Sequence, residues 1–267
     1  MILDVDGMKT HAATGGVALS GDDPVVVLVH GAGMDATVWQ LQTRWLAHHG
    51  FRPMAVDLPG HGRSGGEPLA TIADMADWLG RFIDATGEAP VHLVGHSMGT
   101  FIGLELATRR ADIVASLVLL GTADAMPVHP DLLAAAENDL AAAAALMAAW
   151  GHAKPAHIGL NPTPGLWMLG GARALVEVGH QGALVQDFGA VVTYDAAAAT
   201  AANVSCPVTV AIGLGDKMTP PRATARLIAN LNEPTVVELD DTGHMMMVES
   251  PAAIRRILVQ ALAPADD

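Results

Sequence analysis

A short apolar run, Val91-His92-Leu93-Val94, passes straight into Gly95-His96-Ser97-Met98-Gly99 and from there, with no linker, into a stretch of helical spacing over 98–110. A buried strand that turns this abruptly into a helix forces its turning residue into a strained backbone conformation. Glycines on either side let strand and helix pass closely enough to make the turn. Ser97 is then pushed outward at the head of a helix, where unbonded N–H groups and the positive end of the dipole favour developing negative charge. This is what a serine nucleophile requires, and a serine that merely caps a helix is the plainer alternative.

The junction sits in a regular alternation. Short runs rich in Val, Ile and Leu at 25–29, 53–56, 91–94, 117–120, 208–212 and 236–239 read as buried strands, each closed by Gly, Asp or His. Helical spacing fills the intervals at 37–48, 72–85, 98–110, 222–230 and 252–262, and the residues up to about 20 read as a leading hairpin. Such alternation predicts an α/β fold, a mainly parallel central sheet flanked by helices. With 267 residues, 51% of them hydrophobic, the chain is long enough for one large core and a modest appendage. Between 122 and 203 the strand signals vanish. An Ala-rich segment at 131–150 and Gly- and Pro-broken pieces through Tyr194 predict a helical lid over the carboxyl edge of the sheet. The expected division is therefore a core of 1–121 and 204–267 with 122–203 inserted.

A serine hydroxyl needs a base, and the base needs a group that orients it. The run at 208–212 ends in Gly213-Leu214-Gly215-Asp216, and the run at 236–239 leads to Asp240-Asp241-Thr242-Gly243-His244. Both are strand-end loops downstream of Ser97, so His244 is the expected base and Asp216 the expected acid. Asp124, just beyond the run at 117–120, is an alternative acid.

The formal net charge is −14, which repels phosphate backbones and anionic headgroups and argues against nucleic acid or a membrane as partner. A small molecule is the expected partner. Cys206 is the one cysteine, so no intrachain disulfide forms. The absence of a basic, long apolar leader or a membrane-length run leads to a cytoplasmic expectation. His129, His152, His157 and His180 lie in the expected lid, without the HExxH spacing of a zinc site. No GxGxxG opens a dinucleotide site, and 61–66 lacks the lysine of a phosphate loop, so neither metal nor cofactor is expected.

Together with Gly95-His96-Ser97-Met98-Gly99, four further segments carry a resemblance: Val29-His30-Gly31-Ala32-Gly33-Met34, Asp57-Leu58-Pro59-Gly60-His61-Gly62-Arg63-Ser64, the 213–216 loop and Gly243-His244. Over nearly its whole length the chain resembles the α/β-hydrolase superfamily, in the branch of lid-bearing single-domain serine hydrolases and esterases. The resemblance implies the α/β-hydrolase fold with the lid inserted after its sixth strand. It also implies an oxyanion hole from the Ala32 and Met98 N–H groups, with His30, Asp57, His61 and Arg63 bracing the loops. Ser at the elbow, where related dehalogenases and epoxide hydrolases have Asp, speaks against their chemistry.

The expected reaction is cleavage of a small to medium apolar, uncharged carboxylic ester through an acyl-enzyme. Met34, Leu146, Trp150, Trp167, Met168 and Met245 are the expected pocket residues. The same triad also permits carbon–carbon bond hydrolysis or a lactonase, and a ligand receptor of the same fold is the reading outside enzymes.

Overall fold

The computed structural model describes residues 1–18 and 21–262. The chain opens with a hairpin, β1 (Ile2–Val5) and β2 (Met8–Ala13), closed at Asp6-Gly7, both at positive φ, as a two-residue turn demands. Six strands follow: β3 (Val25–Val29), β4 (Arg52–Val56), β5 (Val91–His96), β6 (Val114–Leu120), β7 (Val208–Gly213) and β8 (Thr235–Leu239). They form one eight-stranded sheet in the order β1-β2-β4-β3-β5-β6-β7-β8. The β1–β2 and β2–β4 pairings are antiparallel and the rest parallel.

Every residue of β3 is buried, as helices on both faces require, and the Val, Ile and Leu content of the central strands follows from that two-sided burial. One strand departs from expectation. β8 was expected to be buried, but only Leu239 of it is, and Val236 is 42% exposed, because β8 ends the sheet with β7 as its sole neighbour.

Some helices are shorter or more broken than their spacing predicts. The stretch expected at 37–48 is a 3-10 turn, Ala36–Trp39, capped by the Asp35 carboxylate on the Thr37 N–H, followed by the α-helix Gln40–Ala47. The stretch at 222–230 is likewise the 3-10 turn Pro221–Ala223 and the short helix Ala225–Asn230. Helix Pro251–Leu262 begins on its proline, where the missing N–H costs nothing.

Between β6 and β7 lie six helices: Pro130–Asn138, Leu140–Gly151, Lys154–His157, Met168–Glu177, Gln181–Thr193 and Ala197–Ala201. Asp139 divides the Ala-rich stretch in two, its N–H closing the first helix on the Ala135 carbonyl and its carboxylate capping the Ala142 N–H of the second at 3.1 Å. Residues 263–267 of the expected core, and 19–20 after the hairpin, lie outside the described residues.

Candidate active site

The carboxyl ends of β3, β5, β7 and β8 converge on one cavity of about 640 Å³. Ser97 follows β5 at once and starts helix Met98–Arg109 with φ 52° and ψ −119°, a conformation that costs a non-glycine residue of order 1–3 kcal/mol and is held by its surroundings. The surroundings are tight. A Cβ on Gly95 would lie 2.2 Å from the Gly99 carbonyl oxygen, and one on Gly99 would lie 2.5 Å from that of Val29. The two glycines around Ser97 are thus the points where strand and helix backbones touch.

His244 and Asp216 meet as the sequence predicts. The His244 Nδ1 lies 2.8 Å from Asp216 Oδ2, and both residues are buried. The other donors to this carboxylate are the N–H groups of Met218 and Thr219 on Oδ1, at 2.8 and 2.9 Å, and the Thr219 hydroxyl on Oδ2 at 2.7 Å. Burial alone would raise the Asp216 pKa. The charge and hydrogen bond of His244, with the Thr219 donors, outweigh it and hold the carboxyl below its ordinary value. An ionised Asp216 makes Nδ1 the protonated nitrogen of His244 and leaves Nε2 free. The ring lines the same cavity as half-buried Ser97. The loops bearing the pair approach closely because Gly213 lacks a side chain: a Cβ there would stand 2.5 Å from the Gly243 carbonyl oxygen.

Asp124 lies elsewhere. Its carboxylate faces Arg226 at 3.4 Å, and its N–H bonds the Ala223 carbonyl. Ala32 lines the cavity, and neither its N–H nor that of Met98 is bonded to an acceptor among the described residues. The Gly33 N–H is already engaged, by Asp187 Oδ2 at 2.8 Å.

The bracing residues form a connected set. Asp57 accepts from His11 Nδ1 (2.7 Å), the Ala36 N–H (2.6 Å) and the Arg63 N–H (2.9 Å), joining β2 to the loops after β3 and β4. His30 donates from Nδ1 to the Gly31 carbonyl and accepts the Leu58 N–H at Nε2. That pattern requires the neutral ring, in keeping with a pKa lowered by burial and by neighbouring His61. His61 reaches further, from the Pro59 carbonyl at Nδ1 to Asp187 Oδ2 at Nε2, 2.9 Å each.

Four residues with structural work here escaped the sequence reading. His96, within the elbow, donates from Nε2 to the His244 carbonyl at 3.0 Å and so ties the loop bearing His244 to the turn bearing Ser97. Burial, then His244, push its pKa down to about 3, so it is neutral. Thr219 sits between Asp216 and His244, its hydroxyl 3.2 Å from His244 Nδ1. Glu249 accepts the Ala153 N–H at 2.8 Å. Asp187, fully buried, carries the clearest missed signal, a lone carboxylate on a helix whose same face bears Leu184, Phe188 and Val191.

The expected pocket needs correction. Met34 and Trp150 line the cavity, whereas Leu146, Trp167, Met168 and Met245 do not. On helix Leu140–Gly151 the residues facing the cavity are Met147 and Trp150, one turn apart. Leu146 is rotated away and packs on the core. Trp167 precedes helix Met168–Glu177 and is 78% exposed, and Met168 and Met245 are buried in packing, Met245 against Gly151. Met126, Val128, Leu132, Phe188 and Val191 complete the apolar wall.

No group of three or more metal-ligating side chains occurs among the described residues, and no helix there is long and apolar enough to cross a membrane.

The sequence model of the alpha/beta hydrolase family matches residues 26–257. The chain belongs to that family. This alpha/beta hydrolase is 32% identical over 258 residues to "Putative carbamate hydrolase RutD" of Variovorax paradoxus (strain S110), covering 91% of this chain and 92% of that one. Among solved structures, the enol-lactonase from Burkholderia xenovorans LB400 superposes with a TM-score of 0.87 at 23% identity, covering 98% of this chain and 99% of the other. The esterase EaEST from Exiguobacterium antarcticum gives 0.83 at 18% identity, covering 98% of each. Likeness at such identities is a likeness of fold.

Proposed function

We propose that this alpha/beta hydrolase is a serine hydrolase cleaving small to medium carboxylic esters with apolar acyl bodies, through a Ser97-His244-Asp216 triad and an acyl-enzyme. One observation carries the reading: His244, held through Nδ1 by Asp216 at 2.8 Å, shares an apolar cavity with a serine on a positive-φ elbow. His244 Nε2 takes the Ser97 proton as Oγ attacks the ester carbonyl, and the Ala32 and Met98 N–H groups receive the oxyanion. As the carbon–oxygen bond breaks, His244 returns the proton to the departing alcohol. Water, deprotonated by the same nitrogen, then attacks the acyl-serine, releasing the acid and restoring the hydroxyl. Residues 122–203 are read as the lid and 1–121 with 204–267 as the catalytic core.

Steady-state hydrolysis of 4-nitrophenyl esters of graded acyl length tests this, with Ser97→Ala in parallel and mass spectrometry after a fluorophosphonate probe. The expected outcome is turnover lost by roughly four to six orders of magnitude in Ser97→Ala and probe adduct on Ser97. Absence of labelling overturns the triad.

The 32% identity to the RutD relative supports a second reading, the same acyl transfer applied to a carbamate, in which nitrogen leaves in place of alcohol. Amine or ammonia release from a simple carbamate, at a rate exceeding that from the matched ester, distinguishes it.

A further inference from the structure

The cavity walls suit an uncharged substrate, but its mouth does not. Lys217 and Arg222 line the cavity and are both exposed, so they stand at its rim. The chain has twice as many acidic as basic residues, 28 against 14, yet the cavity lining contains no Asp or Glu. Six of the other twelve cations, Arg52, Arg81, Arg109, Arg110, Arg173 and Arg226, each pair with a carboxylate. Lys217 and Arg222 have no carboxylate partner among the described residues. The nearest acid in sequence, Asp216, spends both oxygens on His244, Thr219 and the Met218 N–H.

Two unneutralised cations on the edge of an apolar chamber, in a molecule whose overall field repels anions, form a local reversal of sign. A planar guanidinium and an ammonium together match a carboxylate, which accepts from both. The lining that Lys217 and Arg222 share with Ser97 is mostly apolar, Met126, Leu132 and Met147 among it, and would hold the hydrocarbon between the scissile carbonyl and a remote charge.

We propose that Lys217 and Arg222 form a carboxylate-binding site, so that the preferred substrate is an ester whose apolar acyl chain ends in a carboxylate. The proposal rests on the esterase reading for its reaction, but the binding site stands apart from it and is tested apart. Mono-4-nitrophenyl adipate and 4-nitrophenyl hexanoate have the same chain length and differ in the terminal charge. The readout is their ratio of kcat/KM in the wild type, in Lys217→Met, in Arg222→Gln and in the double variant, at low and high salt. A ratio cancels any general damage to the neighbouring triad.

The wild type is expected to favour the adipate. Each substitution is expected to reduce the ratio by roughly tenfold, chiefly through the KM of the adipate, and salt is expected to lower it in the wild type alone. A ratio that survives in the double variant, or a wild type preferring hexanoate, overturns the site. Calorimetric titration of monomethyl adipate into Ser97→Ala supplies a readout independent of turnover. Binding that the double substitution removes, with neither ester hydrolysed by the wild type, upholds the anion site and overturns the esterase reading. No binding overturns the site whatever the esters do.

Discussion

Asp187 is a carboxylate with no surface exposed to solvent. Its Oδ2 takes the Gly33 N–H and faces His61 Nε2. His61 Nδ1 is turned to the Pro59 carbonyl, which only accepts, so Nδ1 carries a proton; with Asp187 ionised, Nε2 carries the second and the pair is an ion pair. Burial alone would lower the His61 pKa, but the Asp187 hydrogen bond and charge, the Pro59 bond and more distant Asp57 raise it. The other titratable neighbour is neutral His30, ring centroids 5.0 Å apart. Asp187→Asn therefore makes two tests. Holding Gly33 holds the backbone of Ala32 beside it, so kcat is expected to fall roughly tenfold with KM little changed, less than the hundredfold or more for losing an oxyanion donor itself. A raised folded pKa gives stabilisation that is complete below the unfolded value of about 6.5 and lost as pH rises through the folded one. The wild type's advantage in Tm over Asp187→Asn is accordingly expected to be full at pH 6 and to shrink on the alkaline side. An advantage that grows with pH contradicts the ion pair.

At the scale of elements, what the sequence makes legible follows burial and strand ends. The central strands were readable because two-sided burial enriches them in Val, Ile and Leu. The meeting of Asp216 with His244 was readable because each lies in a loop that follows a strand end. The pocket was not, because whether Leu146 or Met147 faces the cavity depends on how helix Leu140–Gly151 seats against the sheet, and an Ala-rich helix with little amphipathic contrast does not declare its inner face. β8 misled for a related reason, since a run of β-branched residues looks alike at the edge and the centre of a sheet. The elbow itself yields a prediction. In Gly95→Ala the added methyl meets the Gly99 carbonyl oxygen, backbone against backbone, with no side chain to yield. A stability loss of about 1–3 kcal/mol in urea unfolding is expected, together with reduced fluorophosphonate labelling of Ser97. Unchanged values of both contradict the close approach.

Across the whole molecule the helices between β6 and β7 are bound to the rest of the fold by polar contacts at several points, among them Tyr194 and Thr200 on Glu105 and two that flank the stretch after Ala153. Asp187 reaches the Gly33 loop, while the Ala153 N–H bonds Glu249 and the Gly151 carbonyl accepts the Met245 N–H. Between those anchors, the chain from Ile158 to Trp167 lies on the outside, with Ile158, Leu160 and Trp167 each more than 60% exposed. Limited proteolysis is expected to nick this stretch first and leave the remainder resistant. First cuts within 181–193 would contradict the anchoring.

The Asp187 anchor also constrains any attempt to change what the enzyme accepts by transplanting another relative's insertion onto this sheet. A graft of the right length and shape that lacks an acid at that point would strip His61 of its second proton, leaving its Nε2 buried without a partner and the Gly33 N–H with no acceptor. The chimaera would then fail for want of polar partners while fitting sterically, and the repair would be one carboxylate restored on the incoming helix, not a redesign of its surface.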